Sequence, residues 1–404
     1  MPSLGALRAF RHRNFAILFP ANLVSNIGSW AQRVAQDWLV LQLTHSASAL
    51  GLVTALQFLP SLLLSTWAGL LADRFPKRTL LLLTNSGAGL ASLAMGALIL
   101  ANQIQLWHVF LLAFVLGIFN AIDAPIRQSF NAELVGADDL PSAVSLNSAN
   151  FNTGRLVGPA ISGFLIQAFD TGPSFMINAA SYLFVILALL FVSPGQLLGV
   201  ASAPSGSRIR DAYRYVLARP DLFWIMIAVF ATATFGVNFQ IFIALMATQE
   251  FHRSAGDFGL LGTALAVGSL SGALLSTRLE RHRTPVKITL VMMVFGATLV
   301  VLAFAPSYPA FALMLPGSGV LALIALISAN SYVQTSTDAP LRGRVMGIYL
   351  TLMLGGTPFG SMLLGIVAQV TSIRVAIWFC GSVTIGFAIL AYWRLRKVDG
   401  MATA

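Results

Sequence analysis

The sequence predicts an all-α polytopic membrane protein, with twelve transmembrane helices in two pseudo-symmetric six-helix halves. Three observations predict this. Charges are scarce, with 24 Lys and Arg and 14 Asp and Glu in 404 residues, where a soluble chain of this length carries roughly 100. Apolar residues make up 57 % of the chain, close to the share that twelve spans of about 20 residues require. Long apolar runs also alternate with short segments in which basic residues collect. This composition excludes an ordinary soluble enzyme, a disordered chain and a disulfide-stapled secreted domain.

The runs of the first half lie at 14–42, 47–72, 79–100, 106–129, 143–168 and 173–193. Those of the second half lie at 221–247, 257–278, 286–304, 309–331, 344–369 and 373–394. Runs of this length must be helical, because lipid offers no partner to backbone N–H and C=O groups. The first run follows a basic segment, Arg8 to Arg13, as a signal peptide would. It is too long and too polar for one and has no small-residue cleavage pattern, so it reads as a retained span.

The basic residues set the orientation. Twenty of the 24 fall on one side, among them Arg8, Arg11, Arg13, Arg74, Lys77, Arg78, Arg127, Arg342 and Arg344. Arg253 and Arg374 fall on the other, while Arg33 and Arg155 lie inside spans. Both termini are therefore expected in the cytoplasm, and the protein in the cytoplasmic (inner) membrane. The same clusters are spread between spans instead of forming one basic stripe with interleaved aromatics. The net charge of +10 thus points to the membrane surface and not to nucleic acid.

Residues 1–193 form the expected N-terminal bundle, 194–220 a linker and 221–404 the C-terminal bundle. The linker begins SPGQLLGVASAPSGS, a flexible composition, and continues RIRDAYRYVLAR. Ile209, Tyr213, Val216 and Leu217 recur there at helical spacing with arginines opposite, which predicts an amphipathic helix on the cytoplasmic leaflet. The halves echo each other. Pro141 and Pro159 are matched by Pro340 and Pro358, and GLLADRFPKR at the end of span two by GALLSTRLERHR at the end of span eight. Such duplication predicts a central site between the halves. The single cysteine, Cys380, lies in an apolar run and reads as a buried small side chain. No metal site and no redox pair can be built on it.

Three stretches carry a family resemblance. GLLADRFPKR (Gly69 to Arg78) matches the signature after span two of the major facilitator superfamily. GRLVGPAISG (Gly154 to Gly163) resembles the fifth-span signature of its drug/proton antiporter branch. DAPIRQSFNAELV, from Asp123, with LPSAVSLNSANFN, is similar to multidrug, macrolide and siderophore exporters of that superfamily. The resemblance covers nearly the whole chain. It implies the major facilitator fold and a cytoplasmic gate of Gly69, Asp73, Arg74 and Arg78. In that gate Asp73 would meet the start of span eleven near Arg342 and Gly343, where a helix N-terminus favours a carboxylate. Positive-inside bias accounts for the bases but not for Asp73. Pro76 stands where the family usually has Gly, which stiffens the loop. Ala113 stands where many relatives carry an arginine, four residues before Gly117, which weakens the case for proton coupling.

Gly154, Gly158, Pro159 and Gly163 form a bend-and-packing motif, because proline kinks a helix and glycine admits a close neighbour. The functional reading is a seam that limits ion leak, and the structural one is ordinary small-residue packing. Ionisable residues inside spans are costly in hydrocarbon and usually face a cavity or a partner. Asp123 is the first candidate for proton coupling and Asp37 the second, with Arg33 and Arg155 as further candidates; Arg155 has no acidic neighbour in its own span and needs a partner from elsewhere, namely Asp37, Asp123 or an anionic substrate. Asp37 lies one turn from Arg33, and Asp123 one turn from Arg127, so structural ion pairs are the competing reading. Asn22, Asn26, Gln32, Asn120 and Asn150 with Phe235, Asn238 and Phe239 are candidate cavity residues.

These features predict a secondary transporter, exchanging small amphiphilic compounds outward for protons by alternating access. It would act as a monomer in the bilayer, with the proton gradient as driving force and no cofactor. The alternative is an uptake carrier or uniporter, favoured by Ala113. No phosphate-binding loop is present for a nucleotide-driven pump. A membrane enzyme is disfavoured, because His12, His45, His108, His252 and His282 all fall at termini, loops or span ends, so no catalytic group is expected.

Overall fold

The computed structural model describes residues 7–198, 209–278, 284–338 and 340–402, excepting the side chains at 65, 66, 69, 70, 72, 73, 209, 277, 278 and 398–402. Among the described residues all regular structure is helical. The first half contains α1 (Arg13–Thr44), α2 (Ala47–Arg74), α3 (Lys77–Leu100), α4 (Leu106–Phe169) and α5 (Gly172–Phe191). After α6 (Ile209–Ala218) come α7 (Pro220–Ala231), α8 (Phe239–Leu245), α9 (Ala255–Arg278), α10 (Pro285–Ala303) and α11 (Tyr308–Ser336). The chain ends with α12 (Arg342–Gly355), α13 (Thr357–Val370) and α14 (Ile373–Ala402).

Ten described segments are long and apolar enough to cross a membrane. One of them, α4, has 64 residues and at about 1.5 Å per residue is long enough to cross twice. Helix α1, with 32 residues, is of spanning length but is diluted by Asn14, Asn22, Asn26, Gln32, Arg33 and Asp37. Counting α4 twice and adding α1 gives the twelve expected crossings.

Three spans depart from the expected continuous runs. The turn expected between the fourth and fifth runs is helical except at Gly136, whose φ of 72° and ψ of 177° suit only glycine. The helix restarts at once because Asp138 and Asp139 occupy its first turn, where carboxylates are favoured, and Pro141 follows. The seventh run is broken into α7, a π turn at Thr232–Gly236, α8 and a second π turn at Met246–Glu250. The eleventh is broken between α12 and α13 at Gly355 and Gly356, just before Pro358, which cannot continue the backbone ladder.

Two compact units result. The first comprises Met1–His45, Leu56–Ala203 and Ser254–Thr263, and the second Ser46–Ala55, Pro204–Arg253 and Ala264–Ala404. The main boundary therefore falls inside the 194–220 segment. Two short stretches are exchanged, and glycine contacts explain both. In the first unit the start of α9 lies against α4, where a Cβ on Gly163 would sit 2.9 Å from Ala255 O. In the second the start of α2 lies against α13, where a Cβ on Gly51 would sit 2.5 Å from Ser361 O. Such close approach needs glycine on the crossing helices. Gln369 Oε1 also accepts from the Ala47 N–H at 2.8 Å, closing an orphan donor at the start of α2.

Each unit has its own core. Phe15, Leu18, Leu81, Ile126, Phe130 and Leu189 join α1, α3, α4 and α5 in the first. Leu222, Ile225, Met292, Ala325, Val345 and Tyr349 join α7, α10, α11 and α12 in the second. The amphipathic helix α6 packs on that second core through Ala212 and Val216. This corrects the expected apolar face, since Tyr213 and Leu217 are exposed and Ile209 lies outside the described side chains. Cys380 is buried and unpaired.

Candidate functional site

Helix α1 presents Asn22, Ser25, Asn26, Ser29 and Arg33 along one stripe, at the spacing that repeats on one helix face. The first part of α4 presents Asn120, Asp123, Ala124, Arg127 and Asn131 in the same periodicity. Thr84 and Asn85 of α3, Asn147 and Asn150 beyond the α4 kink, and Tyr182 of α5 complete a cavity of about 500 Å³ within the first unit. Phe119 and Phe151 supply apolar wall.

Asp123 and Arg127 form a two-pronged ion pair in this cavity. Arg127 Nε donates to Asp123 Oδ2 at 2.6 Å and Nη2 to Oδ1 at 2.9 Å. Thr84 Oγ1 and Asn85 Nδ2 donate to the same Oδ1 at 2.9 and 3.0 Å. Arg127 also donates to Asn22 Oδ1 at 2.5 Å. The i, i+4 spacing brings the pair together, and α1 and α3 bind its two ends. Oδ1 of the carboxylate thus accepts from three donors and Oδ2 from one.

A second polar chain joins α1 to α5. Asn178 Nδ2 donates to Gln32 Oε1 at 2.6 Å, Ser29 Oγ donates to Asn178 Oδ1 at 3.4 Å, and the Tyr182 hydroxyl lies 3.5 Å from Ser29 Oγ. Asn26 Nδ2 donates to Asn150 O and Oδ1 at 2.8 and 3.1 Å, which fastens α1 to the second part of α4. Gly158 permits that approach, since a Cβ there would lie 2.5 Å from the Trp30 Cβ.

The arrangement sorts the expected residues. Asn22, Asn26, Asn120, Asn150, Asp123 and Arg33 share the cavity. Gln32 is bound to Asn178 behind it. Asp37 is buried to 1 % exposure and does not border it. Arg155 does not border it either, and Asp123, one of its three expected partners, pairs with Arg127 instead. Three residues of the second unit have other surroundings. Phe239, 3 % exposed, packs between Phe242 and Phe295, and Phe235 meets Phe379 edge-on. Asn238 Nδ2 donates to Thr234 O and Phe235 O at 2.7 and 3.2 Å. It thereby satisfies carbonyls freed where the seventh span unwinds.

In the fifth-span motif, Gly154 and Gly158 face α1 and Gly163 faces α9, so these glycines pack helices within the first unit. Pro159 lies against Gly262 of α9. Of the expected gate, Gly69 and Asp73 lie outside the described side chains. Arg74 is exposed. Arg78 donates to Leu189 O and Leu190 O at 2.7 and 2.9 Å, closing orphan carbonyls at the end of α5, a partner the gate reading does not include.

Sequence reasoning missed Thr84, Asn85 and Tyr182. The polar pair inside the run LLLLTNSGAG was a usable signal for the first two, whereas Tyr182 carried none. Among the described residues no group of three His, Cys, Asp or Glu can hold a metal ion.

A family model described as transmembrane secretion effector matches residues 4–404. The staphyloferrin A transporter of Staphylococcus aureus is 26 % identical over 388 residues, covering 94 % of this chain and 96 % of that protein. The enterobactin exporter of Salmonella choleraesuis is 26 % identical, covering 88 % and 85 %. A multidrug efflux pump of Mycolicibacterium fortuitum is 28 % identical, covering 95 % and 96 %. Among solved structures, a bacterial homologue of the human lysosomal transporter Spinster superposes with a TM-score of 0.77 at 15 % identity, over 96 % of this chain and 98 % of that one. A D-xylose–proton symporter superposes at 0.69 with 16 % identity, over 93 % and 96 %. The chain belongs to the transmembrane secretion effector family of the major facilitator superfamily, and is a secondary transporter and not an enzyme.

Proposed function

We propose that this transporter expels small amphiphilic compounds from the cytoplasm by alternating access, with the proton gradient as driving force and Asp123 as the proton-loading carboxylate. The observation that carries the reading is the Asp123–Arg127 pair, set in a cavity and held at once by α1, α3 and α4. Motion of α3 against α4 withdraws Thr84 and Asn85 and so changes how many donors the carboxylate has, while motion of α1 withdraws Asn22, which accepts from the paired Arg127. Proton affinity then follows conformation, as coupling requires. Three relatives bear the names of siderophore transporters or exporters and a drug pump, which favours outward movement. The distribution of Lys and Arg favours an inner-membrane protein with both termini in the cytoplasm, and a cavity built by one unit favours a monomer.

Uptake or uniport is the second reading. It is favoured by Ala113, buried in α4 at the position where many superfamily members carry an arginine.

Cells deprived of their own exporters, expressing this chain and loaded with a panel of fluorescent dyes, test the direction. Exporter activity lowers steady-state dye retention, and a protonophore restores it. Higher retention than in control cells would mean uptake.

A further inference from the structure

The cavity wall carries an unequal set of charges. Asp123 is its single carboxylate among the described residues, and two guanidinium groups, of Arg127 and Arg33, border the same space. Arg127 is matched to Asp123 through both prongs. Arg33 has a different environment. Its Cζ lies 5.1 Å from the ring centre of Trp30 and 5.6 Å from that of Phe58. Asp37 follows one turn later on α1, but it is buried to 1 % exposure and stands outside the cavity wall. Asp37 acts on Arg33 electrostatically, but of the two only Arg33 borders the cavity. Tyr182 borders the same cavity as Arg33, Asp123 and Arg127, so the three charges act on one space.

A guanidinium at membrane depth is costly and is retained where it faces a partner or a water-filled pathway. Aromatic faces offset part of that cost and hold the group flat, leaving its N–H fork to receive a planar acid. Phe119, Phe151 and Tyr182 border the same cavity and offer apolar surface beside the fork. The wall therefore combines one surplus positive charge, a planar donor and aromatic rings.

We infer that Arg33 is the anion receptor of this cavity, and that its substrates are amphiphilic acids with an apolar or aromatic body and an ionised carboxylate or similarly acidic group. This rests on the reading of the cavity as a substrate site and narrows it to one charge class. An anion carried outward also leaves a cell whose interior is negative, so the membrane potential assists the export of this class.

Three probes on one scaffold test the assignment: 2-naphthoate, 2-naphthamide and 2-naphthylmethylammonium. Their affinities are measured by calorimetry on the purified full-length chain. The native protein is expected to favour naphthoate over naphthamide by about tenfold or more, the worth of one charge-assisted fork, with the ammonium compound weakest. Arg33→Gln brings the naphthoate-to-naphthamide ratio close to one. Arg33→Lys, which keeps the charge and loses the plane, gives an intermediate ratio. Asp123→Asn removes the one wall carboxylate among the described residues and raises the ratio, a change of opposite sign that a structural role for Arg33 does not produce. A native ratio at or below one, or an unchanged ratio in Arg33→Gln, overturns the assignment. If the ratios follow this pattern while vesicles transport none of the three compounds, the exporter reading fails and the role of Arg33 stands.

Discussion

In the first unit polarity is carried by side chains on regular helical stretches, with α4 broken at Gly136 between its two cavity-lining parts, whereas in the second the seventh and eleventh spans are interrupted along their length. Helix α1 and the first part of α4 keep regular geometry and place Asn22, Asn26, Arg33, Asn120, Asp123 and Arg127 on facing stripes. In the second unit the seventh span unwinds around Thr232–Gly236 and the eleventh breaks at Gly356. The irregular stretches fit each other there, since a Cβ on Gly356 would reach to 1.8 Å from Thr234 Oγ1. One unit thus holds the charged cavity wall, and the other holds glycine-dependent joints of a kind that let a helix bend. The contrast teaches where substitutions should act: on transport in the first unit, on folding and conformational range in the second.

The largest effect is expected at the ion pair. Arg127→Ala leaves Asp123 without its cation and should cost about 3 kcal/mol of stability, at the low end for a buried pair because both side chains keep some exposure. Thermal unfolding in detergent measures it. The double variant Arg127→Ala with Asp123→Ala should recover most of that loss without recovering proton-coupled transport. If it recovers transport too, the first unit has no coupling role and the contrast between the units disappears.

Next comes Gly360→Ala in the second unit. Its Cβ would lie 1.8 Å from Thr234 O, and overpacking of this kind costs about 1–3 kcal/mol. Thermal stability should fall while binding of naphthoate by the surviving folded protein stays at the native level. Asn238→Leu should cost about 1–3 kcal/mol, because the Thr234 and Phe235 carbonyls lose their donor. The lower part of that range is expected, since membrane hydrogen bonds contribute less than the alternative of hydrocarbon suggests. Loss of ligand affinity without loss of stability at either position would break the division between the units. The smallest effect is expected at Thr84→Val, about 0.6 kcal/mol in stability. Proton-coupled transport should fall by more than that small loss explains, because one donor to Asp123 Oδ1 has gone.

The legibility of the sequence divides along the same line. Apolar runs separated by basic clusters located the spans, because lipid enforces helices wherever water is absent. The α1 and α4 stripes were readable for a related reason: polar residues in a span are rare, so their spacing stands out. Asn85 and Tyr182 were missed because a cavity wall is completed by helices that offer only one or two residues each. The breaks at Thr232–Gly236 and Gly356 escaped for another reason. Hydropathy averages over about 19 residues and is blind to a glycine that a neighbouring backbone requires. Asp123 drops out as a partner of Arg155 for a third reason, since a carboxylate four residues from its own arginine is already matched within one helix.

The central claim is that Asp123 couples proton movement to substrate movement, and inverted vesicles acidified inside, with a fluorescent pH probe, test it most directly. Antibiotics, dyes and amphiphilic acids are added to vesicles bearing the native protein or Asp123→Asn, matched for amount. The account predicts that at least one compound discharges the gradient with the native protein and that none does so with Asp123→Asn. Compounds that move with no proton flux in the native protein, or an equal discharge by Asp123→Asn, would contradict it.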